Sequence, residues 1–175
     1  MVHYLSEVLI SIVRSHRIRS YMEIGVNEGR SLMAVVNNTK LDYLYVCDNW
    51  TGKHGGKVWK SHEHIATLLD NCQVPYTEYL DGDSQKTIPE WCVANPGVKV
   101  DLVLVDGNHD PEPAFQDLQN VAEFAKIIAF DDVMHPGHNL LDVWNHFVDI
   151  TPSAEHQLHA EGHGVGVAVL EQLGA

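Results

Sequence analysis

Positive charge is scarce in this sequence. Eleven Lys and Arg stand against 24 Asp and Glu, a formal net charge of −13 over 175 residues. With no Lys/Arg cluster in it, the chain is a poor match for a nucleic-acid binder or for a protein held at an anionic membrane surface. Cysteine is scarce too: Cys47, Cys72 and Cys92 are odd in number, and no two stand at C-x-x-C spacing. That argues against a disulfide framework or a structural zinc site, and buried thiols are expected instead. Long apolar runs are missing, and none approaches the roughly 20 residues that cross a bilayer. The opening segment MVHYLSEVLISIVRSHRIRS alternates apolar and polar residues and lacks the unbroken apolar core of a signal peptide, so a cytoplasmic location is expected. Repeats, low-complexity tracts and linkers are also absent, and the length suits one domain over residues 1–175.

What is present is alternation. A hydrophobic content of 45% is enough for a core. Tyr4, Leu5, Val8, Leu9, Ile12 and Val13 recur at helical spacing and predict an opening amphipathic helix. Strands are predicted at 20–24, 43–47, 77–80, 100–105 and 127–130. Helices are predicted at 29–36, about 58–69, 87–93, 112–125 and 140–147. VDLVLV at 100–105 is almost wholly apolar, as a strand covered on both faces should be. Two last strands, 155–159 and 165–170, flank Gly162 and Gly164 and are close enough to form a hairpin. The pattern predicts an α/β fold: a Rossmann-like, doubly wound, mostly parallel seven-stranded sheet, with helices on both faces and a C-terminal antiparallel hairpin. In such sheets ligands bind beyond the carboxyl ends of the strands.

The residues at those ends carry the functional reading. The first strand runs into Glu23-Ile24-Gly25-Val26-Asn27-Glu28-Gly29-Arg30-Ser31, a glycine turn that lets backbone approach a ligand. Asn27 occupies the middle glycine position of a dinucleotide fingerprint, so G-x-G-x-x-G is not matched. Glu23 can accept from an ammonium or an ordered water, or serve only as the acid of a tight turn. Asp48, in Asp48-Asn49-Trp50, can hold both hydroxyls of a ribose. Trp50 suits a base or ordinary surface packing. Asp83 and Ser84 can meet an adenine, or simply close an Asp-Gly turn and cap a helix. Asp106 ends the fourth strand, and Asp131-Asp132 end the fifth. If those strands are neighbours, three carboxylates converge and repel unless a divalent cation joins them. Mg²⁺, Mn²⁺ or Ca²⁺ suits such oxygen ligands; helix capping or solvent exposure is the plainer alternative. His109, three residues after Asp106, can act as a general base or be a loop residue. His54, His62, His64, His135 and His138 are read as surface histidines, although His62-x-His64 has a spacing that could bind metal.

EIGVNEGRS resembles the first motif of class I S-adenosylmethionine-dependent methyltransferases. Together with DGNHD and FDD, the set resembles the metal-dependent O-methyltransferases, both the macrocin O-methyltransferase-like sugar enzymes and the catechol O-methyltransferase-like enzymes. The resemblance spans about Ser20 to Leu170. It implies that Glu23, Gly25 and Gly29, with Asn27 and Ser31 of the same turn, line the methionine part of the cofactor. Asp48 and Asn49 would meet the ribose, and Asp83 and Ser84 the adenine. Asp106 would face the cofactor and, with Asp131 and Asp132, bind the metal. His109 would be the catalytic base, where the catechol group has a lysine. DNW and HGVGV also look like the sugar-modifying relatives. Implied with these are a small-molecule acceptor, such as a sugar or vicinal diol, and no nucleic-acid or membrane partner. The chain departs from the pattern at Asn27 and in having little N-terminal sequence beyond one helix. The acceptor pocket is therefore expected to be open or completed by a second subunit of a homo-oligomer. A nicotinamide dehydrogenase would leave the three carboxylates unexplained, and a metal-dependent hydrolase would leave EIGVNEG unexplained. A non-catalytic member of the fold satisfies all the residues.

Overall fold

The computed structural model describes residues 4–52, 61–152 and 154–171. His54 and the start of the helix predicted from about residue 58 lie outside them. Along the chain run α1 (Tyr4–Ser15), β1 (Ser20–Ile24), α2 (Arg30–Val36), β2 (Tyr43–Asp48), α3 (His62–Leu69), β3 (Tyr76–Asp81), α4 (Ser84–Ala94), β4 (Val100–Val105), α5 (Pro111–Ala122), β5 (Ala125–Phe130), α6 (Leu140–Ile150), β6 (Glu155–His159) and β7 (Val165–Val169).

The seven strands form one sheet in the order β3-β2-β1-β4-β5-β7-β6. Strands β1 to β5 are parallel to one another, and β7 lies antiparallel to both β5 and β6. This is the Rossmann-like architecture the alternation predicts. Period two decides the faces. Met22 and Ile24 of β1 point to one core, with Ile88, Trp91, Leu118, Val143 and Phe147 of α4, α5 and α6. Tyr21 points to the other, with Leu5 and Leu9 of α1, Leu32 of α2 and Ile65 of α3. Strand β4 is buried along its whole length, as its composition requires.

Several boundaries differ from expectation by one to three residues: α4 starts at Ser84, α6 runs on to Ile150, and α5 ends early. Residues 123–125 carry the helical pattern of α5, yet the helix stops at Ala122 and Ala125 already pairs with Val100. Pairing with the central strand overrides local helix propensity here. Of the cysteines, Cys47 is buried in the core, while Cys72 and Cys92 are half-buried.

Candidate active site

The strand order reverses between β1 and β4, so their carboxyl ends open a crevice at the switch point. Gly25 and Asp106 meet there. Gly25 has φ +84°, and a Cβ on it would fall 1.9 Å from the Asp106 carbonyl oxygen, so no larger residue fits. Asn27 has φ +48°. Asparagine tolerates this left-handed region better than most residues, which explains how the turn survives without its middle glycine.

A cavity of about 480 Å³ lies over this turn, lined by Gly25, Asn27, Asp48, Asn49, Asp83, Ser84, Asp106 and His109 among others. That volume is ordinary for a small-molecule site. A second hollow of about 150 Å³ continues past Asp106 along Asn27, Ser31 and Ser6.

Asp48 is held rigidly. Its Oδ2 accepts from the backbone N–H of Val26 (2.8 Å) and Asn27 (2.9 Å), and its Oδ1 from that of Trp50 (2.7 Å). Both acceptor positions of Oδ2 are thus occupied by the turn after β1, leaving one on Oδ1. The expected grip on two ribose hydroxyls by this carboxylate alone is reduced to one. Asn49 stands beside it, with its Oδ1 accepting from Thr51 N–H at 3.0 Å and Thr51 Oγ1 at 2.8 Å. Trp50 donates its indole N–H to Asp81 at 2.8 Å and packs against the core, as the surface-packing reading has it.

Glu23 does not reach the cleft. Period two turns it to the face of Tyr21, where it is fully buried. It accepts from Tyr21 Oη at 2.5 Å and Ser31 Oγ at 2.6 Å. Burial pushes its carboxyl up to about 8, against the lowering effect of those two bonds. It anchors Ser31 of α2 under the glycine turn instead of touching a ligand in the cavity.

Asp83 caps α4, accepting from Gln85 N–H at 3.2 Å. Ser84 donates to Asp117 Oδ2 at 3.0 Å, and Gln85 Nε2 donates to Asp117 Oδ1 at 2.7 Å. Asp117 of α5 is completely buried, and burial raises its carboxyl to about 7. Sequence reasoning missed both Asp117 and Gln85. An acid on the apolar face of α5, at the helical position between Ala114 and Val121, was the available signal.

At the other end of the cleft the acids face one another. Strands β4 and β5 pair Val105 with Phe130, so Asp106 and Asp131 follow side by side. Burial, followed by the charges of Asp132 and Asp48, holds the Asp106 carboxyl well above the usual carboxylate range. Burial and the Asp106 charge raise Asp131 to about 8. His109 Nε2 lies 3.3 Å from Asp106 Oδ1 and 3.7 Å from Asp132 Oδ2. Asp132 sits at φ +56°, a left-handed conformation uncommon for a non-glycine residue. Histidines gather over it. His163 Nδ1 lies 3.1 Å from Asp132 Oδ1, and the His138 ring lies 4.6 Å from that of His109 and 4.0 Å from that of His135. Among the described residues, His109, Asp132 and His138 bring one ligand atom each within 4.8 Å of one another. His135 and His138 are therefore not isolated surface histidines. Their meeting with His109 depends on the β4–β5 pairing, and that of His163 with Asp132 on the β5–β7 pairing, neither of which a one-dimensional reading shows.

Fold and cleft together define a class I S-adenosylmethionine-dependent methyltransferase. More particularly, the chain belongs to the methyltransferase-domain family, whose model matches residues 22–133. No curated protein matches it in sequence. Several solved structures share its fold. CalS11, a TDP-rhamnose 3'-O-methyltransferase of calicheamicin biosynthesis, superposes with a TM-score of 0.71 at 16% identity, covering 95% of this chain and 79% of its own. The O-methyltransferase TomG from Streptomyces achromogenes, in complex with SAM, gives 0.67 at 18% identity, covering 95% and 79%. An O-methyltransferase from Bacillus cereus in complex with SAH gives 0.66 at 12% identity, covering 97% and 82%.

Proposed function

We propose that the protein transfers a methyl group from S-adenosylmethionine to a hydroxyl oxygen of a small molecule, with a divalent cation at the β4–β5 end of the cleft. The observation that carries this reading is the continuity of one cavity from Asp83 and Ser84, past Asp48 and Gly25, to Asp106 and His109. Its residue types fit a nucleoside with an amino-acid tail. Asp83 and Ser84 border the part suited to adenine, and Asp48 Oδ1 with Asn49 the part suited to ribose. The turn of Gly25, Asn27 and Gly29, held from below by Ser31 and Glu23, borders the part suited to the methionine tail. When bound, the cofactor supplies a methyl carbon already activated by its sulfonium.

The donor set at the far end fits a cation. Asp106, Asp131 and Asp132 offer hard oxygens to Mg²⁺, Mn²⁺ or Ca²⁺, and their mutual repulsion favours one. A bound divalent ion would lower the pKa of a coordinated hydroxyl. His109, between Asp106 and Asp132, is placed to accept the proton from the acceptor. The remaining contribution of the site is alignment of the acceptor oxygen with the methyl carbon. A sugar or vicinal diol suits this cleft; CalS11, which shares the fold, is named for action on TDP-rhamnose. The test is methyl transfer from labelled S-adenosylmethionine across a panel of diols, sugars and catechols, with and without Mg²⁺. Full turnover by both Asp132→Ala and His109→Ala would defeat the mechanism.

A further inference from the structure

The ligand set at the β4–β5 end differs from a plain carboxylate site. The three groups whose ligand atoms already lie within 4.8 Å of one another are two imidazoles and one carboxylate: His109, His138 and Asp132. The His109 Nε2 to Asp132 Oδ2 separation is 3.7 Å. Two ligands each about 2.0–2.1 Å from a tetrahedral ion lie about 3.4 Å apart, so small side-chain rotations would close the site. Imidazole favours zinc-like ions, whereas Mg²⁺ and Ca²⁺ favour carboxylate, carbonyl and water.

His109 comes from the loop after β4, and the loop after β5 that carries Asp132 and His138 is tied down by backbone bonds. Backbone bonds run from Val133 N–H to Gly164 O (3.2 Å) and from Met134 N–H to His163 O (2.6 Å), tying residues after β5 to the β6–β7 turn. Within the loop, His135 N–H donates to Asp132 O (3.0 Å) and His138 N–H to His135 O (3.2 Å). Around the three ligands stands a supporting shell. His163 Nδ1 is 3.1 Å from Asp132 Oδ1, the oxygen turned away from His109. His135 stacks on His138 at 4.0 Å and 26°. Such partners orient ligands and tune their basicity. Asp106 Oδ1 lies 3.3 Å from the same His109 Nε2.

We infer that this end of the cleft binds a borderline transition-metal ion of the Zn²⁺, Co²⁺ or Ni²⁺ kind through His109, Asp132 and His138, in preference to a hard cation held by carboxylates alone. The inference rests on the cation-assisted reading above and names the class of cation. It also changes the part given to His109 above: a nitrogen that holds the ion cannot take the acceptor's proton, so His109 would be a ligand, and the proton of a hydroxyl acidified by the ion would leave to solvent water.

The test is titration of tag-free, chelator-treated protein with Co²⁺, read by visible absorption, with S-adenosylmethionine binding measured in parallel by calorimetry. The expected result is one equivalent of Co²⁺ with a d–d band that survives millimolar Mg²⁺ and is displaced by one equivalent of Zn²⁺. His163→Ala should weaken binding about 10- to 100-fold, as loss of an outer partner does, and His138→Gln by more than that, with the melting transition of each variant retained. Displacement of Co²⁺ by Mg²⁺ at similar concentration, or unchanged Co²⁺ affinity in His138→Gln, would overturn the inference and leave metal-assisted methylation standing. Failure to bind any divalent ion while S-adenosylmethionine still binds would overturn both. Co²⁺ binding as expected in a protein that binds no S-adenosylmethionine would support the metal site and remove the methyl-transfer reading alone.

Discussion

At the carboxyl end of β2, Asp48 is held by three backbone N–H groups of its own and the neighbouring turn. At the ends of β4 and β5, the charges of Asp106, Asp131 and Asp132 act on one another, and His109 lies beside Asp106 and Asp132. Each arrangement lies along the same sheet edge. The first is preformed: three of its acceptor positions are already taken by backbone N–H groups and its geometry is fixed before a ligand arrives, with one position on Oδ1 left for it. The second stores repulsion that a proton or a cation would relieve. A preformed end suits a cofactor of constant shape, and an electrostatically unfinished end suits an ion and a substrate that bind in turn.

The sharpest way to break this contrast is at the joint between the two ends. Gly25→Ala would drive a Cβ to 1.9 Å from the Asp106 carbonyl oxygen at a left-handed φ. A destabilisation of about 4 kcal/mol is expected, among the larger single-site effects, with loss of S-adenosylmethionine affinity. Thermal melting and calorimetry would read both; a variant as stable as the parent would remove the argument for the turn.

Next is Asp48→Ala. It leaves the Val26, Asn27 and Trp50 N–H groups without their acceptor, at about 1–3 kcal/mol for a buried donor, less where water replaces it. S-adenosylmethionine affinity should fall about tenfold or more, with divalent-ion affinity unchanged. Asp132→Ala should do the reverse: ion affinity lost, cofactor affinity kept. If each variant damaged both affinities equally, the two ends would not be separable.

A smaller effect concerns pH. Asp131 is raised to about 8, so the folded chain binds its proton more tightly than the unfolded chain does. That group's contribution to stability is full below the ordinary carboxylate range and is lost as pH rises toward about 8. Glu23, at about 8, and Asp117, at about 7, act in the same direction. The melting temperature of metal-free protein should therefore decline from mildly acidic toward alkaline pH, and Asp131→Asn should shallow that decline. An added divalent ion should stabilise more at the alkaline end, where it does not compete with protons. The smallest effect is expected away from both ends. Asp42→Asn breaks a half-exposed pair with Arg19 and should cost under about 1 kcal/mol with neither affinity altered.

Much of this molecule is readable from its sequence because its signals are local. The apolar run at 100–105 has one interpretation in an α/β chain, and it forms the central β4. Gly25 and Gly29 stand where positive φ is needed. The adjacency of Asp106 and Asp131 follows once β4 and β5 are taken as neighbours. What stayed hidden depends on contacts between distant segments. Glu23 looks like a cleft residue until Tyr21 and Ser31 are seen to enclose it. His109 reaches Asp132 only through the β4–β5 pairing, and His163 only through the antiparallel return of β7 beside β5. The end of α5 is hidden for the same reason: a strand partner, not helical propensity, decides residue 125.

The most direct measurement is calorimetric titration of the metal-free protein with S-adenosylmethionine and, separately, with NAD⁺. The account predicts micromolar binding of S-adenosylmethionine, weakened in Asp48→Ala, and no binding of NAD⁺. Binding of NAD⁺ alone, or of neither, would contradict it.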